Sequence, residues 1–139
     1  MAKIYVAAPL FCKAELDFNE QLAHTLVKNG HDIFLPQENT PVVDLSPETG
    51  KAGRRAVFLS DISAIDDCDI LLLVMDGRVP DEGACFELGY AYARGKTCVG
   101  LKTDVRTSEL GGDNMMLEGA LSFGIARSID ELLSLLEGM

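Results

Sequence analysis

Glu87 is the residue in this chain least explained by packing. It sits in Asp81-Glu82-Gly83-Ala84-Cys85-Phe86-Glu87-Leu88-Gly89-Tyr90-Ala91, where small and apolar residues predominate and a buried helix face would take a hydrophobe. Read as a helix from about Asp81 to Arg94, the run places Gly83, Ala84, Tyr90 and Ala91 one turn from Glu87. Three of these four are too small to fill space, so a ligand has room beside a carboxylate. A second acid, Asp81, stands at the expected helix start, and a third, Asp61, lies upstream of an apolar run from Ile70 to Met75. Three acids near one strand end suit acid, base or nucleophilic chemistry on a small molecule. Two of them also have a plainer use: Asp81 is a favoured N-cap residue, and Asp61 can cap or solvate its own helix.

The elements that must position these acids alternate along the chain. Lys3 to Ala8 is a strand-length apolar run, and Lys13 to about Asn29 has helical spacing through Phe18, Leu22 and Leu26, closed by Gly30. Asp32 to Leu35 reads as a second strand, followed by a long surface loop marked by Pro36, Pro41 and Pro47. A helix from about Gly53 to Asp66 leads into the Ile70 to Met75 strand, apolar enough to be covered on both faces. Thr97 to Leu101 is a fourth strand. A loop with Gly111-Gly112-Asp113-Asn114 and a short apolar segment near Phe123 to Ala126 follow, and Ser128 with Glu131 forms a capping box for the last helix. Right-handed crossovers of this length give a flavodoxin-like or Rossmann-like α/β fold, a parallel sheet with helices on both faces. Ligands of such sheets bind outside the carboxyl ends of the strands, so Ala7 to Phe11, Pro36 to Asn39 and Asp76 to Asp81 are expected to meet there.

Composition narrows the partners. At 139 residues the chain is expected to be one domain, 1–139, and 47% hydrophobic with 24% charged residues is ordinary for a globular protein. A net charge of −10 disfavours a nucleic-acid partner, which needs a basic face. No run approaches the roughly 20 apolar residues of a membrane span, and the N-terminus has no apolar signal core, so a cytoplasmic location is expected. Cys12, Cys68, Cys85 and Cys98 are dispersed and are read as buried thiols rather than metal ligands or disulfides. His24 and His31 lack metal-ligand spacing, so no metal is expected. The first strand exits through Ala7-Ala8-Pro9-Leu10-Phe11, without the glycines that a dinucleotide or triphosphate requires, so NAD and ATP are not expected either.

From Lys3 to about Lys102, and again near Asp113-Asn114, the chain resembles the nucleoside 2-deoxyribosyltransferases and the related deoxynucleoside 5′-phosphate N-glycosidases. The most specific stretch runs from Asp76 through Pro80 and Asp81 to Glu87-Leu88-Gly89-Tyr90-Ala91 and on to Gly95-Lys96. The resemblance implies that Glu87 is the nucleophile and Asp81 the acid that serves the base, with Asp61 close to both. It implies that Tyr5 touches the nucleophile or sugar, that Phe11 stacks near the base and that Gln37 reads the base edge. Gly83 would leave space for substrate. Asn114 would reach across a subunit interface to the sugar, in a homo-oligomer with shared active sites. The substrates implied are a deoxynucleoside and a free nucleobase, with no cofactor.

These residue types suit the reaction. Breaking an N-glycosidic bond develops positive charge at C1′, which a carboxylate can stabilise or bond to, while a second carboxyl, raised in pKa by burial and a neighbouring anion, protonates the base. In retaining sugar hydrolases that use this double displacement, the two carboxyl groups lie about 5–5.5 Å apart. Two alternatives stand beside transfer: hydrolysis of deoxynucleoside 5′-monophosphates, for which Arg54, Arg55 and Arg78 are candidate phosphate contacts, and a non-catalytic nucleoside-binding module. The Ala-Pro-Leu-Phe exit of the first strand lacks the serines and glycines that hold phosphate in the hydrolases, which favours a free nucleoside.

Overall fold

Apolar strands at the middle of a parallel sheet need helices over both faces, and the alternation along this chain supplies them. The computed structural model describes residues 1–139. Its strands are β1 (Lys3–Ala7), β2 (Asp32–Phe34), β3 (Ile70–Val74), β4 (Thr97–Leu101) and β5 (Ile125–Ala126). They pair in parallel in the order β2-β1-β3-β4-β5, the flavodoxin-like arrangement, with the connections diverging between β1 and β3. The helices are α1 (Lys13–Lys28), α2 (Pro36–Asn39), α3 (Lys51–Asp67), α4 (Glu82–Ala93), α5 (Met115–Ala120) and α6 (Ile129–Glu137). No helix is long and apolar enough to cross a membrane.

Alternation along β1 decides which side chains meet the candidate acids. Ile4 and Val6 join the core formed with Leu22 and Leu26 of α1 and Leu132 and Leu136 of α6. Tyr5 and Ala7 point the other way, into the core formed with Ile65 of α3 and Ala84, Leu88 and Ala91 of α4. β3 is buried along its whole length, and full burial of each of its leucines is worth roughly 1.5–3 kcal/mol. Gly100 in β4 admits Leu121, whose Cδ1 would stand 3.0 Å from any added Cβ.

Helix ends follow the sequence signals closely. Gly30 has φ +91°, its N–H donates to the Val27 carbonyl at 2.9 Å, and the N–H of His31 donates to that of Leu26 at 3.2 Å, a Schellman closure of α1. Ser128 Oγ accepts from the N–H of Glu131 at 3.1 Å, while Glu131 reaches back to the N–H of Arg127 rather than of Ser128 itself.

Four expectations are corrected. Pro36 to Asn39 is a single helical turn instead of loop, because Pro36 fits the first helical position and Asn39 Oδ1 accepts from the N–H of Leu35 at 2.8 Å. α3 begins at Lys51, ahead of Gly53. The preceding segment folds down on it: Asp44 accepts from the Ser46 N–H at 2.9 Å and the Thr49 hydroxyl at 2.8 Å, and a Cβ on Gly53 would lie 2.1 Å from the Asp44 carbonyl oxygen. The helix α5 has no counterpart among the expected elements. The cysteines are not uniformly buried: Cys68 and Cys98 are, Cys85 is partly so, and Cys12 is exposed at the head of α1, where the chain has just left the sheet.

Candidate active site

The carboxyl ends of β1 and β3 open onto a cavity of about 240 Å³ between α3 and α4. α3 presents Phe58, Asp61, Ile62 and Ile65 to it, one face of a helix at spacings of three and four. α4 presents Gly83, Phe86 and Glu87, and Asp81 lines the cavity from the helix start. Asp81 is the N-cap: its Oδ2 accepts from the N–H of Ala84 at 2.9 Å. A Cβ on Gly83 would come 3.2 Å from that same oxygen, so glycine here leaves the carboxylate room.

Each of the three acids is held by one oxygen and has the other without a hydrogen-bond partner in the chain. Asp81 is held by α4, Asp61 Oδ1 accepts from the Thr40 hydroxyl at 2.9 Å, and Glu87 Oε2 accepts from the hydroxyl of Tyr5. Tyr5 is wholly buried, its ring stacked on Phe34 with centroids 5.3 Å apart, so it grips Glu87 from behind. It is therefore a positioning residue rather than a wall of the cavity. A single tether per carboxylate fixes orientation and leaves the remaining lone pairs for a ligand.

Burial raises the pKa of Glu87 to about 7; the Tyr5 hydroxyl opposes the rise, and the charges of Asp61 and Asp81 add to it. Burial likewise raises Asp61, with the Thr40 hydroxyl pulling it down. The hydroxyl of Tyr5 is pushed up by burial first and then by Glu87, so it stays a hydrogen-bond donor. A carboxyl poised near neutrality is set to lose its proton when positive charge appears beside it. A larger hollow of about 640 Å³ between α1 and α2 holds Asp17, Glu20 and Glu38 on an open surface, where Asp17 is paired with the exposed Lys13 one turn away. No group of three or more His, Cys, Asp or Glu side chains is arranged to hold a metal ion.

The model of the family described as nucleoside 2-deoxyribosyltransferase matches residues 4–121. The chain belongs to that family. It is 34% identical over 97 residues to an uncharacterized protein of Ureaplasma parvum serovar 3, an alignment covering 66% of this chain and 60% of that one, which is less than two thirds of the relative's length. A solved structure of a conserved protein from Enterococcus faecalis V583 superposes with a TM-score of 0.81 at 28% identity, over 100% of this chain and 99% of that chain. A 2-deoxyribosyltransferase from the psychrotolerant bacterium Bacillus psychrosaccharolyticus gives a TM-score of 0.81 at 26% identity, over 96% of both chains.

As a nucleoside 2-deoxyribosyltransferase family member, the chain gathers Glu87, Asp81, Asp61, Phe11 and Gly83 at one cavity, with Tyr5 directly behind. Gln37 and Asn114 are not among the residues that line it. Gln37 Oε1 accepts from Asn19 Nδ2 and its Nε2 donates to the Leu16 carbonyl, both at 3.0 Å. Asn114 is the N-cap of α5, accepting from the N–H groups of Met116 at 2.9 Å and Leu117 at 3.2 Å. Arg54 donates to the Leu45 carbonyl at 2.7 Å, Arg55 lies over the Phe58 ring, and Arg78 is exposed. Sequence reading missed Phe58, Phe86 and Thr40. Phe58 shares the helical face of Asp61 three positions on, a signal that was present; nothing local marks Thr40 as the partner of an acid twenty-one positions away.

Proposed function

We propose that this protein transfers 2-deoxyribose between nucleobases by double displacement through a covalent deoxyribosyl-Glu87 intermediate. The observation that carries the reading is the trio of carboxylates around one small cavity, each tethered by one oxygen. The Glu87 carboxylate attacks C1′ of a deoxynucleoside and forms an ester. The C1′–N bond breaks, its electron pair leaves with the base, and a proton from Asp81 goes to the base nitrogen. A nitrogen of a second base then attacks C1′, the ester C–O bond breaks with its electrons returning to Glu87, and Asp81 takes the incoming base's proton. Two inversions retain configuration. Tyr5 holds Glu87 in line, and Asp61 is suited to orienting the base.

A free nucleoside fits better than a 5′-monophosphate. No lysine or arginine lines the cavity, and a phosphate dianion beside three carboxylates is repelled. We further propose that the protein works as a homo-oligomer with Asn114 offered to a neighbour's site. In support, Asn114 lies away from its own cavity, next to a hollow of about 370 Å³ where Tyr92, Met115 and Met116 are exposed.

The test is incubation with deoxyinosine, with and without adenine. Deoxyadenosine formed only with adenine present is the expected result. Hypoxanthine release unaffected by adenine would make the protein a hydrolase, and binding without any base release would make it a binding module.

A further inference from the structure

Asn19 interrupts the apolar stripe of α1. The buried positions of that helix are Asn19, Leu22, Ala23 and Leu26, at the spacings of three and four that face a core, and the first of them is an amide only 1% exposed. A hydrophobe would fill such a position at no polar cost, whereas a buried amide is tolerated when its polar groups are bonded. Asn19 directs its Nδ2 to two partners outside its own helix. It donates to the Pro9 carbonyl at 2.8 Å and to Gln37 Oε1 at 3.0 Å.

Those partners belong to two segments that wall the cavity holding the acids, although α1 packs on the opposite face of the sheet from α3 and α4. Pro9 lies between Ala8 and the pair Leu10 and Phe11, all three of which line the cavity. Gln37 lies in α2, where Pro36 lines it as well. Thr40 closes that turn, donating its N–H to the Pro36 carbonyl at 3.0 Å and its hydroxyl to Asp61 at 2.9 Å. The sheet does not join the two segments: β1 and β2 pair last at Tyr5 and Phe34, and no hydrogen bond runs directly from 8–11 to 36–40. Asn19 bonds to both.

We infer that Asn19 is a positioning residue for the transfer: from α1 it sets the spacing between the β1 exit and α2 and, through Thr40, the direction of the Asp61 carboxylate. The inference rests on the proposed transfer at Glu87. Glu87 and Tyr5 are held by α4 and β1 and bond to each other without this bridge. Its loss therefore loosens the two walls and the acid suited to orienting the base, and leaves the nucleophile in place. A misplacement of about 1 Å in groups that orient a substrate costs on the order of 10²-fold in rate.

The experiment compares wild type, Asn19→Leu, Gln37→Leu, the double variant and Leu22→Ala, a control that weakens the packing of α1 without touching the bridge. It measures kcat/KM for deoxyinosine with adenine as acceptor, and first-turnover fluoride release from 2-deoxyribosyl fluoride, whose leaving group has no ring to orient, at a temperature where melting curves show every variant folded. Asn19→Leu is expected to lower kcat/KM for the nucleoside by about 10–100-fold while fluoride release changes by less than about twofold. Gln37→Leu should reproduce part of that loss, and the double variant should be no worse than Asn19→Leu, since both cut one bridge. If Asn19→Leu does not fold, Asn19→Ala, which removes the same donors and suits a helix, replaces it. Equal losses on both substrates, as Leu22→Ala is expected to show, would make Asn19 a residue of the fold alone and overturn the inference. An unchanged nucleoside rate, or losses that multiply in the double variant, would overturn it too. Wild type that turns over neither nucleoside nor fluoride overturns the transfer reading, and this one with it.

Discussion

Glu87→Gln removes a charge and little else, since the amide oxygen can still accept from the Tyr5 hydroxyl. In the folded chain the carboxyl titrates at about 7 against an ordinary 4.5, because burial disfavours its ionised form. Below pH 4.5 folded and unfolded chains both hold the proton, and the acid costs nothing. As pH rises towards 7 the unfolded chain ionises first and binds fewer protons than the folded one, so stability falls. Above about 7 both states are ionised and the full cost is constant. At about 1.4 kcal/mol per pH unit, that cost is about 1 kcal/mol at pH 5 and about 3 kcal/mol at pH 8. The neutral amide of the variant escapes it at every pH. Melting both proteins across this range by circular dichroism should therefore give Tm values a few degrees apart at pH 5 and about 10 °C apart at pH 8, with the variant higher. Two parallel melting profiles, or a variant that is less stable at pH 8, would refute the assignment of Glu87 as a buried acid held against its preference.

Tyr5→Phe removes the one bond that lowers the Glu87 pKa, so the acidic limb of the kcat/KM profile should move to higher pH; an unmoved limb would mean that another group limits the rate. Asp81→Asn keeps an N-cap of equal quality, so stability should hold while natural nucleosides slow by about 10²–10⁴-fold and 2-deoxyribosyl fluoride suffers less. Equal losses on both substrates would leave Asp81 a cap and no acid. Asn114→Ser preserves a capping oxygen for α5 but loses the amide, so it and Glu87→Ala should each be nearly inactive, and a co-expressed, doubly tagged mixture should regain activity; a monomer in light scattering would end that idea. Lys102→Met strips the buried Asp113 of its closest partner, leaving Arg127 at 3.4 Å, and should cost about 3 kcal/mol in urea denaturation, most of it recovered when Asp113→Leu is added.

The parallel α/β fold and the unusual placement of Glu87 were legible because both rest on local patterns. An all-apolar run such as Ile70 to Val74 demands cover on two faces, and Glu87 stands out among residues too small to explain it. What depended on distant partners was not legible. The side chain of Tyr5 could be given a face by alternation, but only the packing of α4 across β1 brings its hydroxyl to Glu87. Gln37 reads as a free loop amide until Asn19 and Leu16 are seen to occupy both its ends. α5 is six residues long and contains Gly119, so periodicity has nothing to work on; its cap by Asn114 and the fit of Leu121 against Gly100 hold it.

The bond between Tyr5 and Glu87 also has a history in time. The two residues are 82 positions apart, so at about 5–20 residues per second the ribosome makes the second about 4–16 s after the first. Until β3 is made, β1, buried from Ile4 to Ala7 in the finished protein, has only β2 to pair with and an apolar edge awaiting β3. Nascent chains interrupted before Ile70 would carry that edge uncovered and be prone to self-association. Those interrupted between β3 and α4 would have the centre of the sheet but none of the α4 side of the cavity.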